Sequence, residues 1–423
     1  MQGKSFHVNK TTALFIFGYA VTIFGTGFVF PLTALYLDDV LNASSFEISA
    51  YFFLAAAAAF LATPIAGVLS DRHGPRPVGA MGIILQTTGT LVIATASNGL
   101  LALGGGLVLG LGNGCFFGVQ TPIFVDLFGK ERLPKILGIQ YIVMNVAVAA
   151  AGTLGGFVAS TYGAVGYRVC FAYNAISFLI YGEVLFLAIP KRKDRGACQI
   201  KQDQDMSDGE RGIVAGIKAI VRPLSDSLFV RLAILQLLLA GFGFAQMDAV
   251  MPLMFVNNGG FDVAVSGIFL TVNGITVVLL QNRMVNLVEK IGKVKGLLLT
   301  IAFWLTGTCV AFIGVSSFAG NNVGLALIMI YAVVFGVGET FLTPSLQPMV
   351  VEVAPDNRLG SYSAVVETMY SMGSMIGPAL TLWTVDRNNG TGVWLIISAA
   401  LILAAFLVIG QSGRMGKAHG SAA

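Results

Sequence analysis

Along the whole 423-residue chain, long apolar stretches alternate with short polar breaks. A helix needs about 20 apolar residues to cross the hydrocarbon core of a bilayer. Counting such stretches between charged or turn-rich breaks predicts twelve spans, at 11–37, 46–70, 78–97, 99–126, 135–162, 167–190, 228–256, 262–288, 294–317, 322–350, 359–385 and 391–410. The first stretch is too long for the apolar core of a cleavable signal and lacks a small-residue cleavage site, so it is expected to be the first span. The break at Ser97-Asn98-Gly99 is the shortest.

The placement of positive charge tests the count and sets an orientation, because Lys and Arg collect on the cytoplasmic side. With both termini inside, all Lys and Arg except Arg168 and Arg387 fall at that side. Omitting one span would invert every later loop and destroy the asymmetry. The longest polar segment, 191–227, divides the spans six and six. It is expected to be a cytoplasmic linker between an N-terminal bundle (1–190) and a C-terminal bundle with a short tail (228–423). Within it, Ile213 to Val221 could form a short amphipathic helix on the inner surface.

The halves repeat one another. Asp71-Arg72-His73-Gly74-Pro75-Arg76 follows span two, and Glu289-Lys290-Ile291-Gly292-Lys293-Val294-Lys295 follows span eight. Thr121-Pro122 matches Thr343-Pro344, Arg132 matches Arg358 and Gly152 matches Gly377, each pair separated by about half the chain. A doubled six-span unit places its substrate between the halves, near the bilayer midplane.

Composition agrees. Hydrophobic residues make up 56% of the chain and charged residues only 11%, against about 25% charged in soluble domains. Mean hydropathy is +0.81. This excludes a soluble enzyme, a nucleic-acid binder and a disordered scaffold. The net charge of +4 is informative through where the charges lie more than through their sum.

Gly67-Val68-Leu69-Ser70-Asp71-Arg72-His73-Gly74-Pro75-Arg76 resembles the signature of the major facilitator superfamily, in the correct loop. The later copy is degenerate. The resemblance implies the major facilitator fold: all-α, twelve transmembrane helices, two pseudo-symmetric six-helix bundles around a central cavity. It also implies a gating role for Gly67, Asp71, Arg72, Gly74 and Arg76, with Glu289, Lys290 and Gly292 in the second copy. Asp71 is expected to meet a helix N-terminus across the two halves, and Arg72 and Arg76 to pair with acids such as Asp126 or Glu131.

Spans also carry acids. Glu339 lies midway along span ten in Gly338-Glu339-Thr340-Phe341-Leu342-Thr343-Pro344, where a carboxylate is costly and marks a functional site by default. Burial favours the neutral form of such a group, so it can bind and release a proton as its access to water alternates. A Gly-Glu pair followed by Pro in span ten also resembles the embedded acid of some drug/proton antiporters. Glu367, nine residues beyond Arg358, sits roughly 13 Å into span eleven. Glu339 and Glu367 are the expected proton-coupling residues. Asp248 and Gln246 in span seven are expected to help bind substrate, with Tyr141 and Asn145 sharing one face of span five at i, i+4. Glu183 in span six is near enough to its end to reach the interface. No Lys or Arg lies in a span interior apart from Arg231 and Arg283 near inner ends, a pattern that suits cations and protons over anions needing an Arg clamp.

Two features of the antiporters are incomplete. Gly106 stands where many carry an Arg in span four. The span-five motif reads Ala147-x-x-x-Ala151-Gly152-x-x-Gly155-Gly156, without its Pro, whereas span eleven has the fuller Gly373-x-x-x-Gly377-Pro378. The four cysteines lack metal-ligand spacing, and His7, His73 and His419 occupy aqueous positions, so no metal site is expected. Gly3-Lys4-Ser5 and Gly110-Leu111-Gly112-Asn113-Gly114 lack the strand context of phosphate or dinucleotide turns.

The expectation is a non-enzymatic secondary transporter, multi-pass in a bacterial plasma membrane, exporting amphipathic or cationic small molecules in exchange for protons. The proton gradient is its energy source; no cofactor, metal or nucleic acid is involved, and the unit is a monomer. Alternatives are export or proton symport of a sugar, natural product or other metabolite, or a nontransporting receptor on the same scaffold.

Overall fold

A computed structural model describes residues 10–128, 133–188, 227–354, 359–385 and 390–420. Nearly the whole expected linker, and the loops bearing Glu131, Arg132, Arg358 and Arg387, lie outside the described residues.

Each expected span is helical, and no strand occurs among the described residues. The first half comprises α1 (Lys10–Val29), α2 (Ser45–His73), α3 (Pro75–Thr95), α4 (Gly99–Phe128), α5 (Leu133–Tyr162) and α6 (Ala164–Ala188). The second comprises α7, which starts as Ser227–Leu238, then α8 (Ala264–Ile291), α9 (Lys293–Ser317), α10 (Asn322–Val353), α11 (Leu359–Leu382) and α12 (Thr391–Gly420). Among the described residues, 10 helices are long and apolar enough to cross a membrane, or 11 with the bent first helix counted as one span. The twelfth segment is α11, which carries Ser361, Glu367, Thr368, Ser371 and Ser374.

Two spans are less regular than the apolar pattern suggests. α1 stops at Val29 and resumes as Thr33–Val40 at an angle of 44°. Pro31 explains the break: it lacks an N–H for the helical ladder, and a proline disfavours helical backbone at the residue before it. α7 continues beyond Leu238 through wider π turns at Leu239–Phe244, Gln246–Val250 and Met254–Asn258. Helix starts are secured locally. Ser44 and Glu47 form a reciprocal capping box at α2, and the Asn321 side chain accepts from Val323 N and Gly324 N at α10. Such caps contribute about 1 kcal/mol each.

The sequence repeat has a matching backbone. Gly74 ends α2 with φ 86° and ψ 158°, and Gly292 ends α8 with φ 91° and ψ 151°. That region of conformational space is open essentially to glycine alone, so the same turn is built twice, each between a second and a third helix of its half.

The buried core shows how the halves meet. A single hydrophobic cluster runs through both halves at the end opposite these turns, joining Leu32–Leu37, Ile93 and Phe171 to Leu253, Phe255, Phe269 and Leu382, and continues along the second half to Leu297 and Met349. Toward the Gly74/Gly292 end the cores are separate: one holds Phe15, Val78, Phe124 and Tyr181, the other Phe229, Val350, Tyr362 and Val365. In a bilayer, close van der Waals packing replaces the hydrophobic drive between helices, and small residues permit it. A Cβ on Gly377 of α11 would lie 1.7 Å from the Gly241 carbonyl of α7. The fuller Gly-x-x-x-Gly-Pro motif therefore marks a backbone-to-backbone crossing.

Candidate functional site

Polar bonds reinforce the shared core at the end opposite the glycine turns. The Thr153 hydroxyl donates to Gly267 O at 3.1 Å and meets the Thr271 hydroxyl; Thr271 donates to Ala149 O at 2.6 Å. Further out, Ser160 donates to Asp262 at 2.7 Å, and Asn257 donates to Asp38. These bonds join α5 to α8 and α1 to α7, so the halves are sealed at that end.

Inside the seal lies a cavity of about 530 Å³, lined by α1, α5, α7, α8, α10 and α11. Both halves contribute. Its polar side chains are Thr26, Asn145, Gln236, Asn273, Glu339, Thr343, Gln347, Tyr370 and Ser374. Phe30, Phe244, Met144 and Met247 supply much of the apolar wall, and Phe244 meets Tyr370 edge-on with centroids 6.2 Å apart. Phe244, Ala245 and Met247, at the π turns of α7, line the cavity.

Glu339 is partly buried and faces this cavity. Asn273 of α8 donates to its Oε2 over a long 3.5 Å. Along α10, Glu339, Thr343 and Gln347 recur at every fourth residue and form one stripe. No Lys or Arg is found among the described lining residues. Among the described lining residues the cavity thus combines one carboxylate, several neutral polar groups and aromatic faces able to accept a cation.

The expected site residues divide. Glu339 and Asn145 reach the cavity. Glu367 falls on α11 one turn before Tyr370, Tyr141 on α5 one turn before Asn145, and Asp248 in the second π segment of α7; their side chains lie outside the described residues. Gln246 must be corrected. It is fully buried, pointing away from the cavity into the second half: Nε2 donates to Phe242 O at 2.8 Å, and Oε1 accepts from Tyr331 at 2.9 Å and Thr308 at 3.3 Å. Its neighbours Ala245 and Met247 line the cavity.

At the glycine-turn end, Gly67 passes near α4, where a Cβ would lie 4.0 Å from Gly118 O. Asp71 and Arg72 lie in the last turn of α2, and Asp126 near the end of α4, with side chains outside the described residues. Arg76 reaches α6, while Asp126 and Glu131, its expected acidic partners, have side chains outside the described residues. The Arg76 Nη2 donates to Phe186 O at 3.2 Å, and its guanidinium stacks 5.6 Å from the Phe186 ring centroid. It thereby satisfies the carbonyl end of α6, a favourable place for a cation. Glu289 and Lys290 are exposed near the end of α8, and so is Glu183 on α6.

Sequence reasoning missed Asn273, Gln236, Gln347 and Tyr370. The signal was available for the amides, since each interrupts an otherwise apolar span. Neutral side chains drew less attention than carboxylates because their cost in a membrane is smaller.

The family described as Major Facilitator Superfamily matches residues 15–286 and 260–415. Among curated relatives, the uncharacterized MFS-type transporter YqjV of Bacillus subtilis (strain 168) is 24% identical over 365 residues, 84% of this chain and 82% of that protein. The quinolone resistance protein NorA of Staphylococcus aureus (strain N315) is 21% identical over 407 residues, covering 96% of this chain and 98% of that protein. Among solved structures, the nucleoside transporter NupG superposes with a TM-score of 0.76 at 14% identity, over 95% of this chain and 99% of NupG. A bacterial homologue of the iron transporter ferroportin, in its inward-facing state, gives 0.74 at 15% identity, over 95% of this chain and 98% of that one.

Proposed function

The chain belongs to the major facilitator superfamily and is a multi-pass membrane transporter, and from that premise we propose that it exports amphipathic, preferentially cationic small molecules in exchange for protons. The observation that carries this reading is the position of Glu339, a carboxylate inside the cavity between the halves, with Asn273 beside it and no Lys or Arg among the described lining residues. A proton or a substrate cation can neutralise that charge, and competition between them couples the two movements. Aromatic and methionine side chains adapt to varied apolar bodies. The distant likeness to a quinolone resistance protein supports an efflux role.

In this reading the Gly74/Gly292 end faces the cytoplasm, in agreement with the charge distribution. The sealed end faces outward, and the structure is an inward-facing state. Transport then proceeds by loosening the outer seal while the inner ends close.

The test is a toxicity panel in a host stripped of its own efflux pumps, comparing wild type with Glu339→Gln at matched membrane abundance. Lipophilic cations, neutral antibiotics and sugar analogues form the panel. Protection against cations that disappears in Glu339→Gln is expected. Wild-type protection confined to sugar analogues would replace the drug reading with a metabolite exporter. Equal protection by both proteins would remove Glu339 from the mechanism.

A further inference from the structure

A second cavity, about 1060 Å³, lies at the glycine-turn end of the second half. It is bounded by the last turns of α8, the start of α9, the last turns of α10 and Ile409 of α12. Thr343 lines both this cavity and the central one. α10 therefore separates two spaces that meet at one side chain. One stripe of α10, Glu339-Thr343-Gln347, faces the central cavity; the adjacent stripe, Pro344-Pro348-Glu352, faces the second. Pro348 lacks an N–H and so leaves the carbonyl of Pro344, on that wall, without its usual helical donor.

The charge pattern differs between the two spaces. The central cavity holds Glu339 and no basic lining residue among those described. The second cavity holds Glu289 and Glu352 together with Lys293 and Lys295, and Lys293 is already paired with Glu352. Formal charges among the described lining residues cancel, while Val285, Val288, Leu298, Pro348 and Met349 provide a broad apolar surface. Such a chamber rewards an apolar body and discriminates little by charge sign.

We propose that this second cavity is a loading site that takes amphipathic molecules whether cationic, zwitterionic or neutral, and that selection for positive charge occurs only beyond Thr343, at Glu339. The inference rests on the functional reading above and adds a binding site to it. It separates what the transporter admits from what it exports.

Two cysteine reporters test it in lipid nanodiscs, each measured against the parent chain with its own cysteines. Val285→Cys reports the second cavity and Thr26→Cys the central one. The probes are tetraphenylphosphonium and uncharged triphenylphosphine oxide, and the readout is the rate of maleimide alkylation. Tetraphenylphosphonium is expected to slow alkylation about tenfold at both reporters, and the neutral probe to do so at Val285→Cys alone. Adding Glu339→Gln is expected to abolish protection at Thr26→Cys and to leave it at Val285→Cys. The proposal falls if the neutral probe fails to protect Val285→Cys, if Glu339→Gln abolishes protection at both, or if Val285→Cys is unreactive before any probe is added, which would mean lipid fills the chamber. Should tetraphenylphosphonium fail at Thr26→Cys while both probes protect Val285→Cys, the role of Glu339 falls and the loading site is upheld.

Discussion

Replacing Thr271 by Val removes a hydroxyl from the seal and keeps the shape of the side chain. Two interactions go with it, the donation to Ala149 O at 2.6 Å and the contact with the Thr153 hydroxyl. Thr153 retains its bond to Gly267 O, so no buried donor is stranded on the α5 side, and the Ala149 carbonyl keeps its place in the α5 ladder. Interhelical hydrogen bonds in membranes contribute about 0.6 kcal/mol on average and up to about 1.7. Losing two therefore shifts the equilibrium away from the sealed state by roughly 1–2 kcal/mol, or about 5- to 30-fold. The readout is the rate at which a membrane-impermeant maleimide, added from the sealed side, alkylates a cysteine at Ile23 in the cavity wall. If opening and closing are fast against labelling, that rate tracks the open population. Thr308→Val is the control: its hydroxyl bonds to Trp304 O and Gln246 within the second half and crosses no interface. A rate that stays within about twofold of wild type in Thr271→Val, or rises equally in Thr308→Val, would refute the assignment of these bonds to the seal.

Three further outcomes follow from the packing. Gly292→Ala forces a side chain into a backbone region essentially reserved for glycine and should cost about 1–3 kcal/mol, seen as a lower midpoint in thermal unfolding in detergent; Gly74→Ala should match it, because the two turns share their geometry. Tyr331→Phe takes one of two donors from the buried Gln246 carbonyl and should destabilise by about 1 kcal/mol, whereas Tyr331→Phe combined with Gln246→Met should cost less than the sum of the two single changes in a double-mutant cycle. Gly377→Val, at the crossing of α11 on α7, should leave little folded protein by size-exclusion chromatography, since the obstructing atoms are backbone and cannot rotate aside.

Much of the fold was legible in the sequence because membrane insertion imposes simple rules. Apolar length marks each span, Lys and Arg mark one side, and the Asp71–Arg76 turn with its copy near Gly292 exposes the doubling. The place of Glu339 in the central cavity was legible for the same reason, since a carboxylate in mid-span is costly and needs a polar surrounding. The irregular helices were harder. Pro31 is visible, yet the apolar run continues on both sides of it, so periodicity alone reads one straight span. The π turns of α7 leave no mark in hydropathy, and Gln246, expected beside Asp248 in the substrate site, is buried within the second half. The second cavity depends on how α8, α9 and α10 splay at their ends, which no local pattern encodes. The contact of Arg76 with the carbonyl end of α6 and the Phe186 ring joins residues 110 positions apart, which charge patterning alone does not bring together.

The central claim is that Glu339 carries the proton whose movement drives export, and one vesicle experiment addresses it directly. Purified wild type and Glu339→Gln are reconstituted into sealed vesicles, and a labelled lipophilic cation is followed under two conditions, counterflow without a gradient and uptake driven by an imposed pH gradient. Glu339→Gln should lose gradient-driven accumulation and retain measurable counterflow, because exchange needs only alternating access while coupling needs the titrating carboxyl. Accumulation in Glu339→Gln equal to wild type would contradict the account and move the coupling site elsewhere in the cavity.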